Sequence, residues 1–227
     1  MDGFHEETGV AGDGRGRDER LRTEKEGSAE MRRKTFDAIF TAGGAMLAIV
    51  LLAAGGLLMW GYSYANGTVH SQLAAQKIFF PPAAAFAHPK AGTEITPSMI
   101  PSVSQYAGQQ LVNGAQAEVY ANDFIGVHVT EIAGGLTYAQ VSAKAMAQPT
   151  NAKLAGEKAA LFQGQTLRGL LLNAYAFWEI GQVALWSSVG ALVLGGAMLV
   201  LSALGLYHLR RVSPEAELVG LGLAKAA

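Results

Sequence analysis

Two uncharged apolar runs decide most of what this chain can become. The first, Phe40 to Tyr62, reads FTAGGAMLAIVLLAAGGLLMWGY over 23 residues, and the second, Ile180 to Tyr207, covers 28. At 1.5 Å per residue the first makes a helix of roughly 34 Å, against a hydrocarbon core of about 30 Å. The second is long enough to cross with tilt or to extend past the bilayer. A helix in a soluble core seldom reaches such lengths without one charge, so both runs read as transmembrane helices. Charged residues make up only 15% of the chain, below the roughly 25% usual in soluble domains, and the two runs account for much of the deficit.

Lysine and arginine close to the ends of the runs set an orientation, because cytoplasmic flanks carry the excess of positive charge. Arg20, Arg22, Lys25, Arg32, Arg33 and Lys34 precede the first run, and Arg210, Arg211 and Lys225 follow the second. The flanks between the runs hold only Lys77 and Arg168. This asymmetry predicts a plasma-membrane protein with two spans and both termini cytoplasmic. Trp60, Tyr62 and Tyr64 at one exit and Trp178 and Trp186 at the other supply interfacial aromatics. A cleaved export signal is the competing reading: Arg32-Arg33 precedes the run and Ser63-Tyr64-Ala65 is small-x-small. The run exceeds the 7–15 residues of a signal core, and Lys34-Thr35-Phe36 departs from the twin-arginine pattern, so a retained anchor is expected.

The expected organisation is all-α. A disordered cytoplasmic tail covers 1–36, a transmembrane helix 37–64 and an extracytoplasmic helical domain 65–165. A juxtamembrane segment and second transmembrane helix cover 166–209, and a cytoplasmic tail 210–227. The first tail holds eight basic and nine acidic residues among glycines, with almost nothing apolar to bury; its basic end lies where it would meet lipid headgroups.

Between the spans the pattern is helical. Tyr120, Phe124, Val127 and Glu131 fall at i, i+4, i+7 and i+11 and predict one face of a helix across 115–132, with Val119 and Ile125 widening the apolar side. Asn113-Gly114 and Gly134-Gly135 bracket it. Thr137 with Gln140 is a capping-box pattern that opens another helix, and Asn151 caps a third running through Leu161. Five of the seven prolines (Pro81, Pro82, Pro89, Pro97 and Pro101) predict one Pro-rich loop, in which Thr96-Pro97 opens a short helix.

Small residues line both spans. Gly44/Ala48 and Ala191/Gly195 have small-xxx-small spacing, which lets helix backbones approach closely. They serve either the packing of the two spans on each other or contact with a partner helix or a second copy. Glu179, at the outer end of the second span, is either a solvated headgroup-level acid or a partner contact.

Catalytic patterns are sparse. The absence of cysteine excludes disulfides, thiolate metal sites and a cysteine nucleophile. A net charge of −1 gives no field for nucleic acid, so none is expected as a partner. His88, His128 and Glu131 are the weak metal candidates: two imidazoles and a carboxylate match a non-heme iron set, with His128 and Glu131 at i, i+3. That spacing also serves a plain helical hydrogen bond, and no metal or cofactor is expected.

Four stretches carry a resemblance. They are Gln72 to Pro82 (QLAAQKIFFPP), Tyr106 to Gln110 (YAGQQ), Ala121 to Ile125 (ANDFI) with His128, and Thr166 to Trp178 (TLRGLLLNAYAFW). Over roughly 37–212 the chain resembles a family of two-span actinobacterial membrane proteins of uncharacterised function. Members are sometimes labelled as a subunit of an aromatic ring-opening dioxygenase. The resemblance implies a membrane location and carries no site residues. The expectation is therefore a non-enzymatic envelope protein, an interaction or accessory subunit that contacts lipid and a membrane partner or itself. The alternative is a ring-opening metalloenzyme using His88, His128 and Glu131.

Overall fold

The computed structural model describes residues 13–211, with side chains at 20–23 and from 37 on. Residues 1–12 and 212–227, which include the start of the expected N-terminal tail and most of the expected C-terminal one, lie outside the described residues. The fold is all-helical. Two long helices, α1 (Asp13–Gln76) and α5 (Ala152–Arg211), bracket three short ones, α2 (Gly114–Val119), α3 (Gly126–Ile132) and α4 (Tyr138–Ala147). A π-helical stretch, Tyr120–Ile125, joins α2 to α3. Among the described residues there is no strand, only an isolated antiparallel bridge between Phe79 and Gln110.

The long helices owe their length to the absence of proline between Asp13 and Gln76 and between Ala152 and Arg211, since proline removes a ladder hydrogen bond and clashes with the preceding turn. Helix α1 already runs through 13–36, where composition reads as a tail. Nothing apolar is needed for this, because Glu, Lys and Arg are themselves good helix formers. It also runs twelve residues beyond 64, to Gln76, and ends where Lys77 takes a left-handed φ of 53°. Helix α5 starts after Asn151, whose Oδ1 accepts from Leu154 N at 3.2 Å, and passes Leu161 and the boundary drawn at 165 without a break.

Both helices are long and apolar enough to cross a membrane. The segments are Asp37–Gln76 and Ala152–Arg211, each with a best window of mean hydropathy 2.2, of which only 11% and 6% is buried within the protein. A core helix of a soluble protein would be mostly buried, so the low figures are the informative part.

Two compact units divide the chain. The first comprises the described parts of α1 up to Ala54 and of α5 from Ala191. Here small residues mark the helix–helix contact. A Cβ at Gly44 would lie 2.8 Å from Ser202 Oγ, one at Gly195 would lie 3.0 Å from Leu52 Cγ, and one at Gly205 would lie 2.8 Å from Thr41 Oγ1. Ala48 is fully buried and Ala191 half-buried. Close backbone approach of this kind is how apolar helices gain van der Waals contact where water gives no drive.

The second unit, Gly55–Gly190, holds the core. Val69 and Leu73 of α1, Val141 of α4, and Leu161 and Leu171 of α5 meet Phe80, Ile95, Met99, Val103 and Leu111 from the irregular segment between α1 and α2. That segment contains three 3-10 turns, one of them Pro97–Met99 after Thr96, and pairs its ends through Phe80 N to Gln109 O and Leu111 N to Ile78 O, both 2.9 Å.

The helical stretch 114–132 differs from the periodic expectation. Beside Gly114 and Gln116 at its start, its buried positions are Ala117, Ala121, Ile125 and Val129, with Ala133 following, while Tyr120, Phe124 and Val127 are half-buried and Glu131 is exposed. A strict four-residue repeat drifts by about 40° per step around an α-helix. The wider π turn, with its i to i+5 bonds, absorbs part of that drift, and the stripe stays on the core side. Tyr120 and Phe124 meet beside this stripe with tilted rings 4.8 Å apart, and Phe80 meets Tyr120 edge-on at 5.2 Å.

Candidate functional site

The three histidine and glutamate candidates do not assemble. His88 is exposed just after the 3-10 helix Ala83–Ala87, and Glu131 is exposed near the end of α3. His128 is half-buried. Its Nδ1 donates to the Phe124 carbonyl at 2.8 Å, and its ring lies edge-on to Phe124 at 4.7 Å. A carbonyl only accepts, so this bond places the proton on Nδ1 and leaves Nε2 as the ring's second polar atom. Among the described residues no three His, Asp or Glu side chains gather in a group able to hold a metal.

Glu179 is exposed on α5, one residue from Trp178. The Trp178 ring is packed against Gly114 so closely that even a methyl group at that glycine would collide with it. Trp178 thus fixes α2 against α5, while Glu179 is exposed; Glu118 first and then Glu179 lie close enough to Tyr175 for their charges to raise that phenol's pKa. Gly44, Ala48 and Gly195 lie at the helix–helix contact of the first unit, with Ala191 half-buried beside Gly195 on the same helix.

Two features escaped the sequence. The first is Arg168, which reads there only as a lone cation of the span's flank. In the fold its Nη2 donates to Asn122 Oδ1 at 2.9 Å, in the π stretch, and its Nε is buried with no hydrogen-bond partner. It is the sole cation of α5 between Lys158 and Arg210. An isolated basic residue in the otherwise uncharged stretch of α5 between Lys158 and Glu179 was the available signal. Its partner, an amide 46 residues away, was invisible.

The second is a cleft of about 690 Å³ between α1 and α5. Next to its lining residue Ala65 the two helices are in van der Waals contact: a Cβ at Gly181 would sit 3.6 Å from Ala65 Cβ and 3.8 Å from Tyr62 Cδ2. Further along both helices, within the apolar runs, the buried Ser188 hydroxyl donates to the Gly55 carbonyl at 2.7 Å and ties the two helices together. Toward Ala152 from Gly181, Leu167, Leu170 and Phe177 make the α5 wall. Val69, Leu73 and Leu171, all buried core residues, form the floor. The polar groups at its edge are uncharged: Thr68, Gln72 and Gln76 on α1 and Asn173 on α5, with the Tyr64 phenol. The cleft has the volume and the apolar lining of small-molecule sites.

Comparison with protein-family models, with curated proteins and with solved structures returns no match to this chain.

Proposed function

We propose that this chain is a membrane-anchored envelope protein that works without catalysis, as an interaction or accessory subunit. Its two long helices span the plasma membrane with both termini cytoplasmic, and they hold the helical unit between them, with its proline-rich loop, on the outer side. The observation that carries the reading is the apolar surface left outward on both helices. Ile39, Phe40, Met46, Ile49, Leu57 and Trp60 on α1, and Ile180, Val183, Trp186, Val193, Leu194 and Leu201 on α5, are all more than half exposed. Continuous apolar surface of this extent is far beyond what a water-facing monomer tolerates and is favourable only against lipid or a partner. The flanking Lys and Arg residues supply the orientation.

Support for an interaction role comes from the pairing of a long anchor with a small, well-packed outer unit. Among the described residues His88, His128 and Glu131 form no three-ligand group, so the reading rests on the apolar surface and not on a metal site. Purification of the full chain in a mild detergent tests the proposal. A stoichiometric membrane partner or a defined self-assembly is expected. Turnover of an aromatic substrate with about one equivalent of bound iron would overturn it.

A further inference from the structure

We infer that the cleft between α1 and α5 is a binding site for the hydrocarbon chain of an uncharged lipid, an acyl ester or alcohol. The inference rests on the membrane reading above and adds a ligand class to it.

Three observations converge on that occupant. The floor and walls are hydrocarbon: Val69, Leu73, Leu167, Leu170, Leu171 and Phe177. An apolar chain is the ligand whose transfer from water or interface such a surface favours. Among the described residues no Asp, Glu, Lys, Arg or His lines the cleft, so an anionic headgroup or a charged peptide would leave its charge unpaired there. The amides of Gln72, Gln76 and Asn173 instead offer donors and acceptors that suit an ester carbonyl or a hydroxyl.

Position supplies the third observation. The cleft runs along α1 from Tyr64 to Gln76, about 18 Å of helix, directly after the apolar run that ends at Tyr62. Its rim residues Tyr64, Leu170 and Phe177 are 66%, 64% and 56% exposed. Leu170 and Phe177 share α5 with the outward apolar residues Ile180 and Val183. The exposed rim leaves the cleft open to the side, and that is where a lipid chain at the outer leaflet enters.

The test uses the full-length chain in detergent and a monoacylglycerol carrying a photoreactive diazirine in its acyl chain. After illumination, peptides are mapped by mass spectrometry. Saturable labelling is expected on residues 64–78 and 167–177, displaced by unlabelled monoacylglycerol. Thr68→Trp and Ala174→Trp, which fill the cleft from opposite helices, should each cut the labelling by about tenfold or more. Leu194→Trp, on the outward face of the span, should leave it unchanged. Two variants on different helices keep the test alive if one fails to fold. Labelling spread evenly over Val193, Leu194 and Leu201 and indifferent to the cleft-filling variants would overturn the inference, as would a co-purifying polypeptide that cross-links at Leu170 and Phe177. Those failures are separable from failure of the membrane reading, which would show as a chain that stays in solution without detergent.

Discussion

Gly164→Ala should be felt through one side chain, Val129, and the structure gives the size of the effect. A Cβ at Gly164 would lie 2.5 Å from Val129 Cγ2, whereas Val129 Cβ and Ile125 Cγ2 stand off at an ordinary 4.0 Å. Valine in a helix has essentially one χ1 rotamer, so the methyl cannot swing aside freely, and overpacking of this kind costs about 1–3 kcal/mol. Against it works the gain of about 1 kcal/mol for alanine over glycine inside a helix. Gly164→Ala alone should therefore be neutral to destabilising by up to about 2 kcal/mol. Val129→Ala alone should cost about 2 kcal/mol, for two methyl groups and the void they leave. In that background the clash is gone, and Gly164→Ala should stabilise by about 1 kcal/mol. The coupling between the two changes is then about 1–3 kcal/mol. Denaturant unfolding in mild detergent, followed by tryptophan fluorescence, measures all four proteins of the cycle. A coupling below about 0.5 kcal/mol would refute the packing of α3 on α5 described above.

Adjacent glycines give a sharper contrast in the first unit. Gly44→Leu and Gly195→Leu should lower the thermal midpoint by several degrees, whereas Gly43→Leu and Gly196→Leu, where a Cβ meets nothing within 4 Å, should leave it unchanged. Equal effects at both members of either pair would place the helix contact elsewhere. Asn122→Ala should destabilise by about 1.5–3 kcal/mol, since it strips a half-buried guanidinium of its hydrogen bond. Adding Arg168→Met should recover most of that loss, and a double variant no better than the single would show that the bond carries little. Tyr120 is held above the ordinary phenol range, first by burial and then by the charge of Glu94. The neutral phenol is the form the fold prefers, so its contribution is complete below the unfolded value near 10 and is lost as pH rises through the higher folded value. Unfolding midpoints measured from pH 9 to 12 should fall less steeply for Tyr120→Phe; an unchanged slope would remove Tyr120 from the alkaline transition.

Features that depend on a few neighbouring residues were legible in the sequence. Two uncharged runs announce long apolar helices because length and composition alone decide that. The Thr137/Gln140 box closes as its spacing implies, with Gln140 N donating to Thr137 Oγ1 at 3.3 Å and Thr137 N to Gln140 Oε1 at 2.8 Å. Asn113 accepts from Gln116 N at 2.9 Å just before α2. Features that depend on distant partners were not legible. The π turn at 120–125 has no compositional mark; it accompanies a four-residue repeat of buried side chains, Ala117, Ala121, Ile125 and Val129, that meets the core. Phe80, Ile95 and Leu111 become core from a stretch without helical period, because the ends of that stretch are pinned together by backbone bonds. The cleft likewise needs Leu167 to Phe177 of one helix opposite Tyr64 to Gln76 of the other. Such a pairing is readable only once both helices are in place.

Membrane embedding is the claim on which the rest stands, and the chain's lack of cysteine makes it directly measurable. Three single-cysteine variants suffice: Leu21→Cys, Gln105→Cys and Val193→Cys, all at exposed positions, with Leu21 at 55% and Val193 at 65% exposure. A membrane-impermeant maleimide is applied to intact and to permeabilised cells. The account predicts labelling of Gln105→Cys on intact cells, of Leu21→Cys only after permeabilisation, and of Val193→Cys in neither case until the membrane is dissolved. Rapid labelling of Val193→Cys in permeabilised cells, at the rate its exposure would give in water, would contradict it.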